Sequence, residues 1–302
     1  MMSKALAVFI LTAWFIVVPV SVQSQTIDDY LAGAQREMDL WNHEEAIGFY
    51  DQALELDRTR PRVFFMRGTA KRETGDTEGA LQDFDQALEL NPGEPEYYYE
   101  RGMLRYYVQD YQGAVYDFDD FLELIPSTEI ILKLRGESKY QLEDYTGAVA
   151  DYSEALEQGP DNPELYYLRA YARTEQEDWA GAIQDFTVVM DMPPLDGQFF
   201  DKRDTALLRR ANVKLRSVDY EGAHADCDLA IERDGLDLEA HFIRGKARLA
   251  MERFREAVED FDIVIERYPM PEAYHDRGTA KQGLGDDGGA ESDFEQALEL
   301  GE

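Results

Sequence analysis

An all-helical solenoid is the fold class the sequence predicts, and three observations predict it. A block of 34 residues recurs in register, as GDTEGALQDFDQALELNP (75–92), QDYQGAVYDFDDFLELIP (109–126), EDYTGAVADYSEALEQGP (143–160) and EDWAGAIQDFTVVMDMPP (177–194). Apolar residues within each block are spaced three and four apart, the period of an amphipathic helix. Alanine or glycine stands wherever two such helices would cross. The crossing alanine alone recurs at Ala46, Ala80, Ala114, Ala148, Ala182, Ala223, Ala257 and Ala290, with spacings of 34 four times, then 41, 34 and 33. Self-similarity at a period of this length is the signature of stacked hairpins, because a single hairpin cannot bury both its faces.

Each element of the block has its own justification. The first helix carries Tyr30, Phe64, Tyr98, Tyr166 or Tyr274 at its leading position, with Leu132, Leu207 and His241 in the remaining units. Four residues on stands a small residue, Ala34, Gly68, Gly102, Gly136, Ala170, Ala211, Gly245 or Gly278, which lets the backbones approach. A Gly-Asp or Asp-aromatic pair then marks a turn. The second helix carries the crossing alanine and, four positions later, Tyr50, Phe84, Phe118, Tyr152, Phe186, Phe261 or Phe294, with Cys227 once in that place. Pro92, Pro126, Pro160, Pro194 and Pro269 stop it, since proline cannot continue the hydrogen-bond ladder.

Those positions, in phase over eight units, resemble the tetratricopeptide repeat family from about Ile27 to the end of the sequence. The resemblance implies a right-handed superhelical solenoid and a role in holding other proteins. The expected organisation is a leader over residues 1–24, repeats one to five over 25–196, an insertion at 197–203 containing Phe199 and Phe200, and repeats six to eight over 204–302. The insertion reads as a lengthened helix or packed corner in preference to a lip for a partner. In the leader Lys4 is the only charge, and Ala5 to Val18 is mostly apolar and too short for a membrane span. Val22-Gln23-Ser24 then supplies small residues for cleavage before Gln25. The expectation is a secreted or periplasmic protein, the alternative one anchored in the membrane by an uncleaved leader.

Composition excludes several function classes. The 302 residues include 63 acidic and 30 basic side chains, a formal charge of −33, which would repel the phosphate backbone of nucleic acid. One cysteine, Cys227, cannot make a disulfide framework or a cysteine-built zinc site. His43, His224, His241 and His275 fall in different units without metal-ligand spacing, and Gly285-Asp286-Asp287-Gly288-Gly289 lacks the alternating ligands of a calcium loop. With no nucleophile elbow, Walker loop or dinucleotide fingerprint, the sequence predicts neither catalysis nor a metal or cofactor. The acids are spread over every unit, which fits adaptation to high salt better than steering of a basic partner.

A second pattern runs through the repeats. Arg67, Arg101, Arg135, Arg169, Arg210, Arg244 and Arg277 precede the small residue, and Lys71, Arg105, Lys139, Arg173, Lys214, Arg248 and Lys281 follow four positions later. Just before the second aromatic stand Asp83, Asp117, Asp151, Asp185, Asp226, Asp260 and Asp293. The first unit lacks all three members, so the expected bridges join Asp to Arg within a unit; an unpaired buried charge would cost about 3–5 kcal/mol. One Asp cannot balance two bases, and the acids that end the second helix, such as Glu89 or Glu123, are the open candidates for the rest.

The family's first helices line its concave surface. Carried across by register, the groove positions are Phe65, Met66, Tyr99, Met103, Tyr106, Tyr107, Tyr140, Tyr167, Leu168, Tyr171, Leu208, Phe242 and Ile243. Such an aromatic trough suits an extended peptide or an amphipathic helix of a partner protein. The family's clamp for acidic chaperone C-termini needs paired Lys, Asn and Arg on adjacent first helices, and only Asn212, Lys133, Arg209 and Lys246 stand at such places. The expected function is a non-catalytic adaptor; the alternative is a structural protein that self-associates end to end.

Overall fold

The computed structural model describes residues 25–126, 128–193 and 202–301. The leader and most of the 197–203 insertion lie outside the described residues. The chain divides into two compact units, one ending at Leu90 and one beginning at Asn91.

The first unit holds α1 (Ile27–Asp39), α2 (His43–Leu56), α3 (Pro61–Glu73) and α4 (Thr77–Leu90). The second holds α5 (Pro95–Tyr107), α6 (Tyr111–Leu124), α7 (Glu129–Gln141), α8 (Tyr145–Gln158), α9 (Pro163–Glu175), α10 (Trp179–Asp191), α11 (Lys202–Arg216), α12 (Tyr220–Arg233), α13 (Leu238–Ala250), α14 (Phe254–Arg267), α15 (Pro271–Gly283) and α16 (Asp287–Gly301). No strand occurs among the described residues. Within each unit every helix packs on the one before and the one after it, and in the second unit α7, α11 and α13 also touch the next odd-numbered helix. Each unit is an all-α helical solenoid of hairpins, and α10 and α11 pack together on either side of the insertion.

Local chemistry sets the helix ends. Pro61, Pro95, Pro163 and Pro271 open first helices, where a missing N–H costs nothing. In the turn between paired helices, Asp110, Asp144, Asp178 and Asp219 accept hydrogen bonds from the amides of Gly113, Gly147, Gly181 and Gly222, capping the second helix. Second helices end two residues ahead of Pro92, Pro126, Pro160 and Pro269.

The residue two positions before each second helix takes a left-handed backbone. It is glycine only at Gly75 (φ 83°) and Gly285 (φ 80°); elsewhere it is Trp41, Gln109, Glu143, Glu177, Val218 or Glu252, with φ from 59° to 68°. Left-handed backbone costs a side-chain-bearing residue roughly 1–2 kcal/mol. Six turns bear that strain, and four of them lead directly into a capping aspartate.

Between the helices lie the aromatic side chains of the repeat. Tyr50 and Phe84 fill the first unit, and Phe118, Tyr152, Phe186 and Phe261 the second, each fully buried. A methyl group on Gly102 would come within 2.9 Å of the Phe118 ring, so the small residue is what admits the aromatic one. Cys227 takes the same buried place, where burial pushes its thiol up and leaves it unreactive.

The charged ladder is built into this packing. Arg67 spans both oxygens of Asp83 with Nε (2.8 Å to Oδ2) and Nη2 (2.5 Å to Oδ1), and Lys71 shares Oδ2 at 2.8 Å. The same triad recurs in the second unit at Arg135, Lys139 and Asp151, and at Arg277, Lys281 and Asp293, with contacts of 2.6–3.0 Å. The third Arg67 nitrogen reaches back 2.6 Å to Asp51 of the preceding repeat. Arg135 does so to Asp119, Arg244 to Asp228 and Arg277 to Asp262, each at 2.7 Å. Neutral Ser153 and Thr187 fill that role for Arg169 and Arg210. The balancing acids are therefore these, two positions beyond the ladder aspartate, and not the Glu89 and Glu123 class. Arginine also lies over the leading aromatic three residues earlier, 5.3 Å from Tyr166 and from Tyr274, a contact that its planar head favours.

Charge is segregated by helix. The even-numbered helices carry 31 acidic and 3 basic residues, the odd-numbered ones 15 acidic and 23 basic. The even distribution over units seen in the sequence thus hides a strong division within each hairpin.

Candidate protein-binding cleft

Within the second unit, three first helices supply most of one tyrosine-lined cleft of ≈ 330 Å³. Its walls are Tyr106 from α5, Glu137, Tyr140 and Gln141 from α7, Tyr152 from α8, and Tyr167, Leu168 and Tyr171 from α9. The repeat period explains the convergence. Tyr106 and Tyr140 occupy equivalent positions 34 residues apart, and so do Glu137 and Tyr171. Tyr167 and Tyr171, one helical turn apart on α9, bring their hydroxyls to 3.2 Å and their ring centroids to 5.0 Å. Both rings lean edge-on against the buried Phe186, at 5.7 and 5.8 Å, which fixes their orientation. Tyr140 is held in the same way by Tyr145 at 5.3 Å.

The cleft is polar at one point. The Tyr106 hydroxyl donates to Glu137 Oε2 at 3.4 Å. Burial, reinforced by that carboxylate, pushes the Tyr106 phenol up to about 12. Burial also drives the Tyr152 and Tyr171 phenols well above the usual tyrosine range. The rings are therefore neutral at physiological pH, and charge in the cleft resides on Glu137. Because these folded-state values lie above the unfolded value near 10, the stability they contribute is complete below pH 10 and is lost as pH rises through about 12. A spectrophotometric titration is expected to show Tyr106, Tyr152 and Tyr171 ionising above the usual tyrosine range, as the protein unfolds. A single ionisation step near pH 10 for all 18 tyrosines would contradict this.

The sequence-predicted trough residues separate into groups. Tyr106, Tyr140, Tyr167, Leu168 and Tyr171 meet in the cleft. Tyr99 lines a different one of ≈ 480 Å³, with Pro95, Phe121, Ile130 and Ile131. Met103 is half-buried against the Phe118 core, and Tyr107, 69% exposed, touches Tyr106 from outside the cleft. Phe242 packs on Phe261 at 6.1 Å with the Lys246 ammonium 5.1 Å over its ring. Three expectations are corrected: Phe65, Leu208 and Ile243 are buried. Phe65 turns inward because Phe84 receives its ring at 5.7 Å, while Leu208 and Ile243 join core clusters. Phe65 and Met66 belong to the first unit, apart from this cleft. Sequence reasoning missed Glu137, Gln141 and Tyr152 as cleft residues. The signal for Glu137 was present, since it stands one period from both Met103 and Tyr171.

No helix among the described residues is long and apolar enough to cross a membrane. The fold and the cleft define a helical-repeat scaffold of the kind that binds proteins or peptides. The TPR repeat family matches residues 68–107 and 136–177, and the tetratricopeptide repeat family matches residues 242–302. The chain belongs to the tetratricopeptide repeat family, whose members are typically non-catalytic scaffolds for protein–protein interaction. Among solved structures it is similar to a tetratricopeptide repeat protein from Parabacteroides merdae, with 16% identity, TM-score 0.53 and coverage of 90% of this chain and 98% of that one. MamA from Desulfovibrio magneticus gives 20% identity, TM-score 0.50 and coverage of 55% and 94%. A Naa15/Naa10 structure bound to HypK-THB gives 17% identity and TM-score 0.60, over 85% of this chain and 39% of that one. At these identities the likeness is one of fold. A comparison with curated proteins gives no match.

Proposed function

We propose that the protein is a non-catalytic adaptor of the cell envelope or the extracellular space, and that it holds an extended or helical segment of a partner protein in the Tyr106–Tyr171 cleft. The observation that carries this reading is the convergence of four half-buried tyrosine rings, Tyr106, Tyr140, Tyr167 and Tyr171, from consecutive repeats on an open cleft floored by the buried Tyr152. Tyrosine gives large contact area for little lost rotamer freedom and adds a polar tip, so a surface of this kind binds without needing catalytic groups. The leader, with its apolar run and small residues before Gln25, supports the envelope or extracellular address. Charge supports a protein partner over nucleic acid, at −33 for the whole chain.

Capture from an envelope extract tests the reading. Wild-type protein is expected to retain a partner that the Tyr106→Ala/Tyr171→Ala protein does not, at a temperature where both proteins are folded. Identical catches would reject the cleft as the binding site.

A further inference from the structure

The cleft walls include five tyrosines and one carboxylate, and no lysine or arginine. We propose that the cleft receives a cationic side chain, lysine or arginine, of a basic peptide segment, held between the tyrosine faces and the Glu137 carboxylate. The inference rests on the cleft being the binding site and names the chemistry of what enters it.

A cation is attracted to the face of a tyrosine ring by the ring's quadrupole, and more strongly where water is displaced. Here the rings of Tyr106, Tyr140, Tyr167 and Tyr171 line the walls, and buried Tyr152 closes the floor. Burial keeps the Tyr106 phenol neutral up to about 12, so it presents an aromatic face and a hydroxyl at working pH. Glu137 supplies the counter-charge from the α7 wall, one helical turn from Tyr140. The volume of ≈ 330 Å³ is at the small end of ligand pockets, suited to one long side chain and not to a whole helix. The nearest bases are paired: Arg209, which also reaches the Tyr167 hydroxyl at the edge of the cleft, bonds Glu239 at 2.6 Å, and Lys133 bonds Glu164 at 3.0 Å.

Two small probes differing in charge alone test this on the full chain. N-acetyl-arginine amide and the neutral, nearly isosteric N-acetyl-citrulline amide are titrated into nitrogen-15-labelled protein at physiological ionic strength. Amides of α7 and α9 are expected to shift saturably with the arginine probe, at an affinity at least about tenfold above the citrulline probe. Glu137→Gln is expected to remove most of that tenfold preference. Equal affinity for the two probes, no saturable shift in α7 and α9, or a Glu137→Gln protein that keeps its preference would each overturn the proposal. Should the probes fail while partner capture still depends on Tyr106 and Tyr171, the cleft binds a different chemistry. If capture is also indifferent to those tyrosines, the adaptor reading falls with it.

Discussion

Asp260→Ala is expected to destabilise the protein by about 3–5 kcal/mol, the largest effect of any single ladder substitution. Asp260 is 1% exposed and accepts from Arg244 and Arg248, both at 2.6 Å, with His241 Nδ1 a further 2.9 Å away. Removing the carboxylate leaves two half-buried guanidinium groups beside one another, with only the more exposed Asp228 and Glu256 to balance them. The neighbouring Asp262 provides the contrast. It bonds Arg277 at 2.7 Å but is 54% exposed, and Arg277 keeps Asp293 without it. Asp262→Ala should therefore cost no more than about 1 kcal/mol. Denaturant unfolding of the two variants checks both values, and equal losses would mean that the buried member has no special weight.

The second large effect is on binding. The Tyr106→Ala/Tyr171→Ala protein is expected to lose between about thirtyfold and a thousandfold in affinity for its partner, the range covered by about 2–4 kcal/mol at interface hot spots. Both rings are half-buried and oriented before a ligand arrives, Tyr171 by Phe186 and Tyr106 by Tyr107 and Tyr111 at 5.9 Å. Such preorganisation concentrates affinity in few side chains, because little rotamer freedom is lost on binding. Titration of the isolated partner into each protein reads the change, and a loss under threefold would place the binding surface elsewhere.

The period of the sequence made the helices legible. Alanine, glycine, aromatic and proline positions recur in phase, and each has a steric reason to recur. Pairing of Asp83 with Arg67 was legible for the same reason, since both were missing together from the first repeat. What escaped was set by side-chain direction. Asp51 and Asp119 stand two residues beyond the ladder position, about 200° around the helix, and so face the following repeat's arginine. Register could not show this, because Asp119 looks like a solvent-facing acid until the next hairpin is in place. The left-handed turns were equally hidden: Gly75 and Gly285 announce one, whereas Val218 adopts the same backbone with a side chain that opposes it.

For the cleft, register selected the right helices and some wrong neighbours. Phe65 and Tyr167 stand at the same position of the repeat, three periods apart, and meet equivalent rings, Phe84 and Phe186, both at 5.7 Å, yet the first is buried and the second half-buried. Arg62 lies 5.5 Å over the Phe65 ring, whereas the matching residue before Tyr167 is Glu164, so depth of burial follows flanking side chains that vary from unit to unit.

Hydrogen–deuterium exchange with and without the captured partner is the most direct check on the claim that consecutive first helices of the second unit present the binding face. Protection is expected on α7 and α9 and at the Tyr106 end of α5, with α10, α12 and α14 unchanged. Protection confined to the acidic even-numbered helices would contradict it.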